Sequence, residues 1–592
     1  ASRPTDPLPP NLPLATLPVL MVDAQATAAH AAGGHLLEVG WVVCSARQVD
    51  AGRVPAPTVH LVRLHAFATI PSAVERITGI STDDLVNAAD GGHVWRQMSH
   101  LARHLAEANG AEATPAVIHF SRFELPFLKA LHQSFEDDAD FPLEVICTHE
   151  ITKRLLPTLP RKGLRAVAGY FGHGMPKLRR CDAHVIATAR IWRHLVARLD
   201  RVAGIATLTQ LKRWLRQELP PTRPSRVFPM QTDDRSDIPD LPGVYQMLRK
   251  NGDLLYIGKA KSLRTRVASY FQPSQRHAEK TLEMLTQAKR LYSTPTGSAL
   301  EAALLEVDQI QKLHPAYNIA LQPKERPLRF STVDFTQFSA YPDGHHRLGP
   351  LPEVDRFMAL GQIGRWLNRA RIAGSSGLYP DESTDKIIFG FDPPNEQTLQ
   401  AGLTRFKAQF CQFFEGTEFC LALRRIGRHL LGLQATNDPE ASAEGKGDDQ
   451  DASMGTAENG WTTERVCWRL ESLVRGCTRD LYRARWFCLL SESVLAWPCV
   501  PETQERVVLT IERGRVSARG TLTKSEALPL PPGYANGRMM RQCCFDGNTY
   551  DRMRVLTTEI RRLVAAGRAL EVRTSRGRAL TSDQLGQLLK RV

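Results

Sequence analysis

A multidomain α/β protein is what the sequence predicts, on three observations. The chain has 592 residues, enough for roughly four domains at about 150 residues each. Short apolar runs alternate with helical periodicities as far as residue 322, the pattern of mixed α/β units. Beyond that point helical patterns continue without a readable topology, so 323–592 is expected to be a mixed α/β carboxyl-terminal region. A hydrophobic content of 42% and a charged content of 23% exclude a fibrous or mainly disordered chain.

Residues 1–16 are Pro-rich and are expected to form a disordered leader. The apolar run Leu12–Val22 is interrupted by Pro13 and Pro18 and lacks a basic flank and a small-residue cleavage site. It reads as a leader plus a strand, not a signal peptide. Strands follow at Pro18–Asp23, Leu36–Cys44 and Val59–Phe67, a helix near Gly92–Ala108, a strand at Ala116–His119 and a helix at Arg122–Gln133. Asp182–Leu199 carries apolar residues three and four apart and closes this first domain, 17–200, as an amphipathic helix. Residues 201–238 open with a basic helix bearing Lys212, Arg213 and Arg216, then lose periodicity, and are expected to be a linker. A second α/β unit occupies 239–322. Within the last region, 434–460 has almost no large apolar residues and is expected to be a disordered insertion.

Charge narrows the function. Lys and Arg number 76 against 62 Asp and Glu, a net +14 with pI near 9.4, which points to a polyanionic partner, nucleic acid foremost. No apolar run reaches about 18 residues, so no membrane span is expected. Eight of the 11 cysteines follow residue 400, which suits a reducing, cytoplasmic compartment better than a disulfide framework. A phosphate-cradling GxxxxGK[ST] loop is missing, so ATP use is not indicated.

The densest cluster of motifs lies at 243–318. Gly243-Val244-Tyr245 and Leu254-Leu255-Tyr256-Ile257-Gly258 flank an Asn251-Gly252 turn, a β-hairpin signature. Lys259 follows, then a helix with Lys261, Arg264 and Arg266 at or near its start. A second helix, Ser298–Leu313, sets Leu300, Ala303, Leu304, Val307 and Ile310 on one stripe, with Glu306 bordering it. Pro315 stops that helix before Tyr317-Asn318. This stretch resembles the GIY-YIG nucleases, in particular the UvrC-like excision-repair branch. The resemblance implies that Tyr245 and Tyr256 face the scissile phosphate, one of them helping to deprotonate the attacking water. It also implies that Lys259 and Arg266 hold the phosphate, that Glu306 is the single carboxylate ligand of Mg²⁺ or Mn²⁺, and that Asn318 anchors the site. A phosphodiester requires its developing negative charge to be stabilised, which a metal and an arginine supply. A tyrosine acting as base requires nearby positive charge to lower its pKa, with Lys259 and the metal as candidates.

The first domain resembles the DEDD proofreading-type 3′–5′ exonucleases of the ribonuclease-H-like fold, through VLMVDAQAT, HLLEVGWVV, IHFSRFELPFL and CDAHVIATARIW. That family holds two metals with four carboxylates. Here Asp23 and Asp182 stand at two of those positions, Glu124 replaces an aspartate, Gln25 replaces a glutamate, and Lys177 stands where a catalytic histidine is expected. His173 and His184 lie nearby without the family spacing. The resemblance therefore implies a degenerate exonuclease module. UvrC-like relatives also carry a four-cysteine cluster; here Gly427 occupies one such position and Cys467 and Cys477 remain, with Cys411 and Cys420 at displaced spacing and Cys543-Cys544 expected to be structural. An iron–sulfur cluster is not expected. The resulting expectation is a DNA-repair endonuclease with DNA and other repair proteins as partners. The phosphate-contact candidates are Lys212, Arg213, Arg216, Lys261 and Arg264. The alternatives are a nucleic-acid-binding scaffold, a weak 3′–5′ exonuclease or a mobile-element nuclease.

Overall fold

A computed structural model gives the structure of the protein. It describes residues 13–590 except 53, 66–67, 137, 175–177, 219–225, 232–234, 236, 273–275, 323–326, 374–387, 390–393, 416–417, 438–459, 499–504, 533 and 535–544. The leader as far as residue 12, Lys177, Cys543-Cys544 and nearly all of the 434–460 insertion thus lie outside the described residues. The chain forms two compact units, 1–295 with 315–318, and 296–314 with 319–592. Among the described residues no helix is long and apolar enough to cross a membrane.

The first unit is built on a five-stranded sheet ordered β3-β2-β1-β4-β5, from β1 (Val19–Ala26), β2 (Leu36–Cys44), β3 (Thr58–Leu61), β4 (Thr114–Ile118) and β5 (Leu143–Cys147). β1 pairs antiparallel with β2 and parallel with β4. The three inner strands are largely apolar because helices cover both faces of the sheet. On one side α1 (Gly91–Ala108) and α2 (Ser121–Phe135) bury Trp95, Met98 and Leu128 against Val22 and Val39. On the other α3 (Leu164–Tyr170) and α4 (Cys181–Ala203) bury Val167, Trp192 and Leu195 against Val19 and Met21. Asp90 caps α1 by accepting from the amides of Gly92 and His93.

Two expectations change here. The stretch 201–238 does not begin as a linker. α5 (Leu208–Arg216) opens with a Thr207 capping box and buries Leu211 completely in the core beneath α4, while Arg154 donates to the carbonyls of Trp214 and Leu215. The leader likewise ends before Leu14, which is fully buried and bonds its amide to the Ala206 carbonyl. Both are apolar residues that find the core only once α4 has turned at Gly204, beyond the reach of local pattern.

The same unit continues into a three-stranded antiparallel sheet ordered β7-β6-β8, from β6 (Gly243–Leu248), β7 (Leu254–Ala260) and β8 (Arg290–Pro295). The expected hairpin forms at Asn251-Gly252, where Arg249 N–H bonds the Asp253 carbonyl. α6 (Leu263–Ser269) is capped by Ser262 and α7 (Glu279–Gln287) leads into β8.

In the second unit, α8 (Ala299–Leu313) begins at its Ser298 cap, and β9 (Arg329–Ser331), β10 (Phe338–Ser339) and β11 (Leu348–Leu351) form a small antiparallel sheet ordered β10-β9-β11. Leu300 and Leu304 of α8 join a core with Trp486, Leu509, Leu556 and Val572. That core faces a five-stranded antiparallel sheet, β14-β13-β12-β15-β16, of β12 (Ser493–Pro498), β13 (Glu505–Glu512), β14 (Arg515–Thr523), β15 (Glu571–Arg573) and β16 (Ala579–Leu580). A second core unites α9 (Asp355–Ala373), α10 (Glu396–Gln409), α11 (Phe419–Asn437) and α12 (Thr463–Leu490) through Phe357, Phe406, Ile426 and Leu470. α12 spans 28 residues and contributes to both cores.

Candidate active site

The β6–β7 hairpin carries the two expected tyrosines on adjacent strands. Tyr245 pairs with Gly258 and the Tyr245 and Tyr256 rings lie 6.1 Å apart. Gly258 permits this: a Cβ there would collide with the Tyr245 hydroxyl and the Tyr256 ring. Tyr245 is wholly buried, and its hydroxyl lies 2.9 Å from that of Tyr270. Arg266, one turn earlier on α6, donates from Nη2 to the Tyr270 hydroxyl at 3.2 Å, with its guanidinium 4.9 Å from the ring centroid. Sequence reasoning missed Tyr270, whose only signal was its position four residues after Arg266, one helical turn on. Burial pushes the Tyr245 phenol well above its ordinary pKa, the neighbouring tyrosines add to this, and Arg266 works against it. At Tyr245 desolvation of the phenolate outweighs the arginine. Tyr256 is half-buried.

Asn318 is fixed by two bonds to one residue of β7: its Oδ1 accepts from Ile257 N–H and its Nδ2 donates to the Ile257 carbonyl, both at 2.9 Å. The peptide between Tyr256 and Gly258 is thereby held from the side. Lys259 follows at the end of β7 and is half-buried, as is Glu306 on α8. Tyr245, Tyr256, Lys259, Arg266 and Asn318 fall in the first unit and Glu306 in the second. Of the candidate phosphate contacts, Arg213, Arg216, Lys261 and Arg264 are exposed. Lys212 is ion-paired with Glu144.

The first domain has a cavity of about 500 Å³ lined by Asp23, Glu124, His184, His119, His149 and Lys162, among others. Asp23 and Glu124 are both about 4% exposed. Gln25 Nε2 donates to Asp23 Oδ2 at 3.3 Å, and His184 Nδ1 lies 3.2 Å from both Asp23 Oδ1 and the Gln25 amide. Burial opposes charge on His184, but the bond and charge of Asp23 outweigh it and raise its pKa. Glu124 Oε2 has no hydrogen-bond partner, and burial, reinforced by Asp23, holds its carboxyl well above the ordinary range. Asp182 is exposed, accepting from the Ala183 amide at the start of α4. Gln25 bonds Asp23, which shares the cavity with Glu124, and Asp182 is not among the residues lining it. His184, set aside on spacing, occupies the place beside Asp23. A pair of divalent metals needs several converging carboxylates, and this donor set does not fit one.

In the second unit, Gly427 lies where α11 crosses α12, and a Cβ there would collide with the Thr478 side chain. Cys467 and Cys477 are buried on α12, and burial pushes both thiols up, Cys467 to about 11. Cys411 is exposed. Such environments keep thiols protonated rather than preparing them as ligands.

Residues 241–319 match the family model of the UvrC-like GIY-YIG domain. The UvrABC system protein C of Clostridium botulinum is 44% identical over 86 residues, 14% of each chain. That of Clostridium beijerinckii is 35% identical over 207 residues, 33% of this chain and 31% of its own. The chain therefore spans less than a third of the length of these curated relatives. Among solved structures, the GIY-YIG N-terminal endonuclease domain of UvrC from Thermotoga maritima, bound to its catalytic divalent cation magnesium, is 35% identical. It covers 15% of this chain and all of its own, with a TM-score of 0.14. The stretch that builds the tyrosine hairpin and its asparagine clasp, 241–319, is thus a UvrC-like GIY-YIG domain.

Proposed function

We propose that this chain is a divalent-metal-dependent endonuclease that nicks one strand of DNA by the GIY-YIG mechanism in nucleotide excision repair, with other repair proteins as partners. The observation that carries this is the convergence of Tyr245, Tyr256, Tyr270 and Arg266 around Gly258, inside a domain of that family. Tyr256, the half-buried member, faces the reacting phosphate and water, while the buried Tyr245 stays a neutral phenol that orders Tyr270. Arg266 and Lys259 offset charge developing on the phosphate. Asn318 keeps the Tyr256–Gly258 backbone in place. Glu306 is the proposed metal ligand: a single carboxylate ligand suits Mg²⁺ or Mn²⁺, which keep most of their waters. When bound, the ion would supply electrostatic stabilisation of the attacked phosphate. Exposed Arg213, Arg216, Lys261 and Arg264 contact the DNA backbone, so affinity falls steeply with salt; Lys212, already held by Glu144, contributes less.

The first domain, 17–216, is on this reading a degenerate exonuclease module. Its strand order and the shared cavity of Asp23 and Glu124 support the ancestry, while Gln25 and His184 tie up Asp23. The reading includes no iron–sulfur cluster: Gly427 stands at one of the four cysteine positions, and a Cβ there would meet the Thr478 side chain. The described cysteines are free thiols, in keeping with a reducing cytoplasm.

The test is incision of supercoiled plasmid and of end-labelled duplexes, damaged and undamaged, with Mg²⁺ or Mn²⁺. Open circles should form, with linear product late or missing. Glu306→Gln should lower incision roughly a hundredfold or more while DNA binding is retained. Near-normal incision by that variant would refute the assignment.

A further inference from the structure

The first domain touches the nuclease domain through a buried polar joint. α3 packs on α7, and Gly169 of α3 sits directly on the carboxamide of Gln287, which is fully buried. Gln287 Oε1 accepts from Arg249 Nε at 3.0 Å and Nη2 at 2.8 Å. Its Nε2 donates to the Glu283 carbonyl and to the Tyr317 hydroxyl. Tyr317 in turn donates to Glu283 Oε1 at 2.7 Å, and its backbone N–H bonds the Leu255 carbonyl at 2.8 Å. The next residue is Asn318, the clasp on Ile257. Further bonds close the joint from the first domain: Arg161 N–H to Thr286 Oγ1 at 3.1 Å, Arg161 to Glu279 at 2.8 Å, and Asn251 Nδ2 to the Gly172 carbonyl at 2.8 Å.

Every polar group in this run is oriented by the next. Arg249 is only 5% exposed and Gln287 not at all, and leaving either without partners in so dry a place is costly. The carboxamide can turn only one way, because Gly169 leaves room for it there and the Arg249 guanidinium requires its oxygen. Its amide nitrogen must then face Tyr317. We propose that Gln287 and Tyr317 are positioning residues for the nuclease site, and that the first domain braces Asn318 and the Tyr256–Gly258 strand through Gly169. This rests on the nuclease reading above and gives the module that has lost its own chemistry a role in the other domain's rate.

The experiment uses the full chain with two substitutions. Tyr317→Phe keeps the ring and removes the hydroxyl bonds to Gln287 and Glu283; Gly169→Ala pushes on the carboxamide from the first domain. Plasmid nicking is measured with Mg²⁺, duplex affinity by anisotropy in EDTA, unfolding by circular dichroism, and the Ile257 amide by hydrogen exchange. The expectation is a fall in the nicking rate constant of about tenfold, with duplex Kd unchanged and the Ile257 amide exchanging faster. Wild-type nicking and exchange in both variants would overturn the proposal. So would a loss of rate matched by a loss of affinity and of folded structure. If the wild type itself does not nick, the nuclease reading fails, and the exchange rate of Ile257 still decides whether the brace exists.

Discussion

Two sites in the first unit look alike in outline and differ in how their polar groups are spent. In the first-domain cavity Asp23 is held by Gln25 and His184, and Glu124 is driven toward its neutral form. Asp23 is spent on its neighbours, Glu124 Oε2 is left without a hydrogen-bond partner, and Asp182 does not line the cavity. In the tyrosine site the contacts run the other way. Tyr245, Tyr270 and Arg266 brace one another, and Asn318 grips the backbone of Ile257. Tyr256 lies beside them, half-buried. In one place the polar contacts are made to an anionic centre; in the other they are made between the groups that frame a half-buried tyrosine.

The largest effect that would test this contrast is at Gly258. Gly258→Ala should drive Tyr245 and Tyr256 apart and cut nicking by about a hundredfold, since roughly an ångström of misplacement costs that much. It should also cost about 1–3 kcal/mol of stability from overpacking. A variant that nicks normally would show that the packed tyrosine pair is not needed.

A smaller effect is expected in the cavity. The wild type should trim 3′ ends of labelled single-stranded DNA very slowly or not at all. Gln25→Glu combined with Lys177→His should raise that rate if the scaffold still supports the chemistry. Robust trimming by the wild type that is abolished by Asp23→Ala would break the contrast.

The smallest effect is on stability against pH. Burial pushes His119 down to about 3, and burial with nearby arginines pushes His173 down to about 4; His194 is lowered to about 4 in the same way. Their folded-state pKa values lie below the unfolded value near 6.5, so the folded state binds fewer protons. Their contribution is fully present above about pH 6.5 and is lost as pH falls toward 4. His184, whose pKa is raised, acts in the opposite sense and offsets part of this between its two values. The melting temperature should fall as the pH drops from 6.5 to 4. A flat profile by calorimetry would show that these rings are more hydrated than their surroundings suggest.

Much of this was legible in the sequence where local chemistry decides. β2 was readable from end to end because Leu36–Cys44 is apolar on both faces and bounded by polar residues. The hairpin was announced by Asn251-Gly252, and α8 by its Ser298 cap and Pro315 stop. What was hidden depends on tertiary partners. β8 reads as no strand because Arg290–Pro295 is largely exposed, and β14 is exposed almost throughout, so neither alternates. α5 was mistaken for linker because its one deeply buried residue, Leu211, has a partner only in the finished core. His184 carries no spacing signal and Tyr270 only its place one turn after Arg266; both are found by what the fold brings beside Asp23 and Tyr245.

The shared helix α12 has a thermodynamic consequence. Its early turns carry Val466, Leu470 and Val474 in the helical core, and its later turns carry Trp486, Phe487 and Leu490 in the core beneath the five-stranded sheet. Trp486 is also tied by its indole N–H to Thr557 of α13 (Gly547–Ala565) at 3.1 Å. Unwinding this helix along its whole length strips apolar surface from both cores, so the melting of one is coupled to that of the other. Calorimetrically, the second unit should lose its structure as one cooperative block, and a cavity cut near Leu470 should lower the unfolding temperature of the sheet as well as that of the helices around it.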